Sequence, residues 1–306
     1  MKELTKDELQ RIFELRVRPF LFDLDQPLPA STAARFVSVG GQPGAGKSAA
    51  LRSAEREIPE ATVVNGDELR QFHPEYTALM KSAPLDMPSV TASAAGQWVG
   101  MSNEYARQTG RSVIVETTLR QPDLLAREFS AFKEAGFDTE LRVVAVPLAV
   151  SREGILNRYL EQVQEKGSGR WTPGAHHDVA AEAGRETVRD LVGAGLVDHV
   201  VVQGRDQRVY LDTPLGSDAR TTADQAVAAL DRGRSVESLT QEQAQQWLAR
   251  MEQNITWLKE MPLDRQSDIL AVAQTLVRSD APGIVSRAFD DVQSQRQWLH
   301  QWSQAL

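Results

Sequence analysis

Cysteine is absent from all 306 residues. Disulfides and thiolate chemistry are therefore excluded, and the redox compartment is left unmarked. Also missing is any apolar run of about 18 residues, the length a membrane-spanning helix needs. Positive charge is scarce: 34 Lys and Arg against 42 Asp and Glu leave a net charge of −8. Binding to nucleic acid or to a membrane surface requires a positive field, so neither is expected as a partner. Five histidines are scattered without a ligand-like grouping. The N-terminal residues are charged, with no apolar stretch following them, so no secretory signal is read there. A soluble, cytoplasmic protein is the expectation. What remains is ordinary globular composition, enough for one large domain with an appendage or for two domains.

Residues 6–17 have helical periodicity, with Leu9, Ile12, Phe13 and Val17 on one face. Thr5 is placed to cap this helix, and Glu8 three residues on completes a capping box. A proline-containing connector at 25–29 follows. Apolar runs at 36–39, 62–64, 112–116 and 139–146 then alternate with helical patterns near 47–57, 67–72, 90–108 and 123–135. That alternation predicts an α/β fold: a mostly parallel sheet with helices on both faces. Further helices are expected near 150–165 and 176–194, then a hairpin around Gly204-Arg205-Asp206. Pro214 and Gly216 break the pattern, and residues beyond read as all-helical. The expected division is 1–34 as helix and linker, 35–215 as catalytic domain and 216–306 as a helical C-terminal extension. Trp298 and Trp302, four apart, share a helix face and are expected to pack rather than bind a ligand.

Between the first strand and the first following helix stands Gly41-Gln42-Pro43-Gly44-Ala45-Gly46-Lys47-Ser48. This is the full Walker A spacing. Gly41, Gly44 and Gly46 let backbone N–H groups converge on phosphate oxygens. Lys47 carries a point charge to the terminal phosphates, and the Ser48 hydroxyl can ligate Mg²⁺. The helix starting near Lys47 adds its positive dipole end. Binding of ATP with Mg²⁺ is the expectation.

A switch GTPase would carry Asp-x-x-Gly after a strand and an Asn-Lys-x-Asp motif, and neither is present. A motor ATPase would end an apolar strand in Asp-Glu. Here 113–115 ends in Glu116 followed by Thr117 and Thr118. Acceptor-side groups at the carboxyl ends of neighbouring strands instead suit a small-molecule kinase. Asp67, after the second strand, can accept the proton of an attacking alcohol; capping the next helix is its alternative role. Glu116, Thr118 and Arg120 suit an acceptor with hydroxyl and phosphate groups. Arg158 lies on a helix, and Arg170 follows the glycine-rich stretch Lys166-Gly167-Ser168-Gly169. That composition reads as a lid whose arginines neutralise a transferring phosphoryl. His177-Asp178 is read as packing and capping rather than as a metal site.

In this order the residues resemble the zeta-toxin family, the P-loop kinases of toxin–antitoxin modules. The resemblance spans about residues 35–212. It rests on Gly41 to Ser48; Asp67 with Arg70 and His73-Pro74; Glu116-x-Thr118-x-Arg120; Arg158-Tyr159; and Arg170-x-Thr172-Pro173 followed by His177-Asp178. It implies phosphorylation of the 3′-hydroxyl of the amino sugar of UDP-N-acetylglucosamine, which blocks cell-wall precursor synthesis. Asp67 would then be the base, with Lys47, Arg158 and Arg170 on the phosphates and Glu116, Thr118 and Arg120 on the sugar nucleotide. A small helical antitoxin called epsilon, which blocks the ATP site, is the partner the resemblance implies.

Two departures stand out. Where the family carries a further substrate-binding acid on the helix before Glu116, residues 95–101 have none. Gln97 or Trp98 is the expected replacement. The extension from 216 onward has no place in the minimal family domain. Alternatives are therefore another acceptor, such as a different UDP-sugar, NAD or a nucleoside-like molecule, or a nucleotide-binding regulator acting through its helical tail.

Overall fold

The computed structural model describes residues 3–22, 33–261 and 267–303. The proline-containing connector expected at 25–29 lies outside the described residues. Among them six strands form one sheet: β1 (Arg35–Gly40), β2 (Thr62–Val64), β3 (Val113–Thr117), β4 (Asp138–Val144), β5 (His199–Gln203) and β6 (Val209–Pro214). Their spatial order is β2-β3-β1-β4-β5-β6. All pairings are parallel except that of β6, which runs back along β5 as the far arm of the expected hairpin.

Around the sheet run α1 (Lys6–Ile12), α2 (Lys47–Glu57), α3 (Met87–Thr109), α4 (Pro122–Glu134), α5 (Leu148–Lys166), α6 (Gly174–Gly193) and α7 (Ala219–Arg234). The chain continues with α8 (Gln241–Glu260), α9 (Ser267–Thr275), α10 (Ala281–Ala288) and α11 (Val292–Ser303). Thr5 caps α1, and Glu8 closes the capping box as its spacing predicts.

Alternation along β1 divides the core in two. Phe36 points into one apolar layer with Trp98 of α3, Phe129 and Phe132 of α4, and Val188 of α6. Val37 and Val39 point into the other, with Ala50 of α2, Ile155 of α5 and Trp247 of α8. Burial on both faces explains why β1 reads as a continuous apolar run.

Residues of the C-terminal helices belong to this second layer. Trp247 is fully buried, and its indole N–H donates to Ala149 O at 3.1 Å. Trp298 and Trp302 stack with ring centroids 4.2 Å apart and are themselves buried. Arg250 of α8 pairs with the buried Glu153 of α5 at 3.1 Å. No helix among the described residues is long and apolar enough to cross a membrane.

Candidate active site

The register levels the carboxyl ends of the central strands. Gly40, the last residue of β1, stands opposite Thr117 of β3 and Val143 of β4. The glycine-rich loop leaves β1 at that edge, where an open parallel sheet places its ligands. Two glycines there are sterically required. Gly44 has φ +77°, and a Cβ on it would lie 2.0 Å from Ser151 O. Gly46 has φ +86° and is the left-handed residue from which α2 starts. Lys47 is buried, and its ammonium donates to Gly41 O at 2.9 Å and Gln42 O at 3.3 Å. Burial lowers its pKa, and the nearby Glu116 carboxylate only partly offsets that. Ser48, at the mouth of the loop, is exposed.

On the β2–β3 side, Glu116 Oε1 lies 3.4 Å from Lys47 Nζ. Its other oxygen accepts from Asn65 Nδ2 at 2.9 Å, while Asn65 Oδ1 caps the Gly66–Leu69 turn by accepting from Asp67 N–H at 2.9 Å. One asparagine thus aims both candidate carboxylates. Nothing in the sequence motif singled it out, although its N-cap chemistry was visible. Asp67 is therefore not the cap itself. Its carboxylate, 41% exposed, is bracketed by Arg70 Nε at 3.0 Å and Arg170 Nη2 at 2.8 Å. Burial pushes the Asp67 carboxyl up, but Arg170, Arg70 and Arg158 outweigh it and hold it below its ordinary value.

Arg170 follows Gly167, the left-handed cap of α5. Immediately after it, Trp171 is buried against Tyr159, and its indole N–H donates to Asp268 of α9 at 2.6 Å. Arg158 donates to Thr172 Oγ1 at 2.8 Å. Desolvation and the like charge of Arg170 depress its pKa. Two guanidiniums this close, facing an open cleft, are arranged for a ligand of multiple negative charge.

The acceptor wall depends on Leu119. It takes φ +59°, a conformation costing about 1–3 kcal/mol in a non-glycine residue. Its fully buried side chain packs over Gly40, and its carbonyl accepts from Thr187 Oγ1 at 2.7 Å. This kink leaves Thr118 and the exposed Arg120 on the cleft. From Asp67 and Glu116 a chamber of about 280 Å³ runs beneath α3 and α4. A second chamber of about 210 Å³ joins the same two carboxylates to Lys47, Arg158 and Arg170.

Gln97 is elsewhere. It lies with Ser93 and His73 on a separate groove beside α1, and its amide reaches only Ser93 Oγ at 3.4 Å. Trp98 is buried, with its indole N–H on Leu9 O at 3.1 Å. The face of α3 that meets the chamber carries Gly96, Gly100 and Asn103, and the acid opposite is Glu128 of α4.

Behind the phosphate loop runs a polar chain, buried at Gln42, Ser151 and His177 and exposed at Asp178. Gln42 Nε2 donates to Ser151 Oγ at 3.2 Å, and Ser151 Oγ lies 2.8 Å from His177 Nε2. His177 Nδ1 meets Asp178 at 2.8 Å, and Arg152 ties Asp178 to Asp280. The arrangement imitates a serine hydrolase triad, but Ser151 and His177 are fully buried, with no room for a substrate. Burial lowers the His177 pKa and so favours the neutral ring, against the pull of Asp178 and Asp280. Among the described residues no three His, Asp or Glu side chains converge as a metal cage.

The zeta toxin family model matches residues 23–214, which is 192 of the 306 residues. The chain belongs to the zeta toxin family. Toxin PezT of Streptococcus pneumoniae serotype 4 is 26% identical over 179 residues, covering 58% of this chain and 71% of that protein. Toxin zeta of Enterococcus hirae is 27% identical over 209 residues, covering 66% of this chain and 73% of that one. A chain from the solved PezAT toxin–antitoxin system of Streptococcus pneumoniae superposes with a TM-score of 0.67 at 21% identity. That superposition covers 85% of this chain and 98% of the other, so the shared fold extends past the family-matched segment.

Proposed function

We propose that this member of the zeta toxin family is an ATP-dependent kinase acting on a sugar nucleotide, with the 3′-hydroxyl of the amino sugar of UDP-N-acetylglucosamine as acceptor. The observation that carries the reading is the placement of Asp67 and Glu116 beside Lys47, with two lid arginines facing them across one cleft. In that reading the loop amides and Lys47 hold the donor phosphates. Mg²⁺ would be held by Ser48 together with phosphate oxygens, and would neutralise charge on the transferring group. Asp67 accepts the hydroxyl proton as the acceptor oxygen bonds to the γ-phosphorus. The bond from phosphorus to the β,γ-bridging oxygen breaks, its electron pair leaves with ADP, and Arg158 and Arg170 balance the equatorial oxygens.

Transfer would deplete a wall precursor, making the protein a toxin held in check by an antitoxin. The PezAT structure is of a toxin–antitoxin system, which supports a partner of that kind for this chain. A second acceptor reading, another UDP-sugar or NAD, draws on the acid-free face of α3 at Gly96 and Gly100.

The test is mass spectrometry after incubation with Mg·ATP and UDP-N-acetylglucosamine, using Lys47→Ala as control. A product one phosphate heavier, absent with the variant, supports both donor and acceptor. Loss of ATP without such a product, or with product on another panel member, removes the named acceptor.

A further inference from the structure

Two guanidiniums against the phosphate loop have no part in the phosphoryl-transfer reading. Arg205 stands in the turn between β5 and β6, and Arg234 is the last residue of α7. Arg205 Nη2 donates to Gly44 O at 2.6 Å. Its side chain lies so close to the loop that a Cβ on Gly46 would be 2.5 Å from its Nε. Arg234 Nη2 donates to Gln42 Oε1 at 3.2 Å, and its Nη1 donates to Ala181 O of α6 at 2.9 Å. Gly184 of α6 leaves room for this reach, since a Cβ there would lie 3.2 Å from Arg234 Nη2. The loop is thus gripped twice, once through a backbone carbonyl and once through a buried side chain.

Both cations are half-buried, and neither is neutralised. The carboxylates that attract them are held by other arginines. Glu153, near Arg205, is paired with Arg250 at 3.1 Å. Asp231, near Arg234, is paired with Arg185 at 2.9 Å. Arg234 Nε is buried without a hydrogen-bond partner. Burial lowers the pKa of both guanidiniums, and the two carboxylates offset that only in part. Charge withdrawn from water without a partner is costly to keep. A polyanion on the loop would supply the countercharge, where the N-terminus of α2 already favours one.

We propose that Arg205 and Arg234 are positioning residues for the donor nucleotide, holding the phosphate loop in its binding form and lending it positive potential. The proposal rests on the reading of that loop as the ATP site. Gln42 passes the grip of Arg234 onward. Its carbonyl accepts from Lys47 Nζ at 3.3 Å and from Ala45 N–H at 3.1 Å, while its side-chain amide donates to Ser151 Oγ. Arg234 therefore acts on the loop lysine through the residue that orients it. Arg205 instead fixes the Gly44 carbonyl, which keeps that dipole's negative end occupied by a cation. Arg234 lies beyond the family-matched residues 23–214, so α7 completes the phosphate site from outside that segment.

Isothermal titration with Mg·ATP, beside thermal melting without nucleotide, tests this. Arg205→Met and Arg234→Met should each bind Mg·ATP ~10-fold or more weakly than the wild type. Their melting temperatures without nucleotide should stay within about 4 °C of the wild type, because each substitution also removes an unneutralised charge. Arg205→Lys and Arg234→Lys keep the charge and should bind within about threefold of the wild type. Arg56→Met removes the same charge from the exposed face of α2 and should leave the affinity unchanged. Wild-type affinity in the two Met variants, or an equal loss in Arg56→Met, overturns the positioning role and leaves the donor site standing. A loss that Lys does not restore, together with a large fall in melting temperature, shows a merely structural role and overturns it too. Failure of the wild type to bind Mg·ATP overturns both readings.

Discussion

Arg170 Nη2 lies 2.8 Å from Asp67 Oδ2, so the lid guanidinium rests on the carboxylate proposed to accept a proton. Donor phosphates entering the cleft would compete for the same guanidinium. Nucleotide binding and release of the base are then one event: the anion that needs Arg170 frees Asp67 from it.

Two variants separate these roles. Asp67→Asn should lower transfer by ~10²–10⁴, the range for loss of a general base, with nucleotide affinity retained. Equal rates for variant and wild type would remove Asp67 from the chemistry. Arg170→Ala should do something different. Arg170 helps to hold the Asp67 carboxyl below its ordinary value, so deleting it raises that pKa. The acid limb of the kcat/KM profile should then move to higher pH, alongside a fall in kcat. An unmoved limb would show that Arg170 does not govern the base.

Lys47→Ala should abolish both transfer and growth arrest on expression. The substitution also strands Glu116, whose oxygen faces the ammonium at 3.4 Å, so weaker nucleotide binding is expected as well. Growth arrest equal to wild type would mean that toxicity has another source. Colony counts under induced expression decide this.

The buried histidine predicts a pH dependence of stability. His177 has a lowered pKa in the folded protein because it is buried, beside Arg152 and despite Asp178 and Asp280. The unfolded chain therefore binds more protons just below the ordinary value of 6.5, and stability falls as pH drops through that window. His177→Gln should melt at a lower temperature at neutral pH, through loss of the Ser151 and Asp178 contacts. It should also lose less further stability between about pH 7 and about pH 5 than the wild type. Parallel curves would mean that His177 does not set that slope.

Removing residues 220–306 would strip Trp247 from Ala149, Arg250 from Glu153 and Asp280 from Arg152. We propose that this segment is a structural cap. Truncation should give insoluble protein, and Trp247→Ala alone should cost about 3–5 kcal/mol in denaturant unfolding. A truncated chain that folds and gains activity would establish autoinhibition instead.

Much of the site could be read from spacing. The phosphate loop is a local motif; Glu116 closes the apolar run of β3, Asp67 and Arg170 come shortly after an element's end, and Arg158 sits on a helix that the apolar pattern marks. The structure brings all of them to one cleft. Gln97 shows where such reading stops. Helical periodicity tells which residues share a face, but not which face meets the site. Positions 96, 100 and 103 meet the chamber, while 97 looks the other way. Asn65 and Glu128 act through partners 51 and 25 residues away, distances at which no local pattern operates. Leu119 could not be read at all, because a left-handed leucine leaves no compositional trace.

The chain around Arg170 is short and fixed at both ends, by Gly167 at the close of α5 and by Trp171 against Asp268. Domain closures take microseconds to milliseconds, whereas an exposed side chain changes rotamer in picoseconds to nanoseconds. We propose that Arg170 works as a latch rather than a door, in which case turnover carries no slow isomerisation ahead of chemistry. The indole of Trp171, stationary beside the moving guanidinium, would report each stroke as a change in its emission.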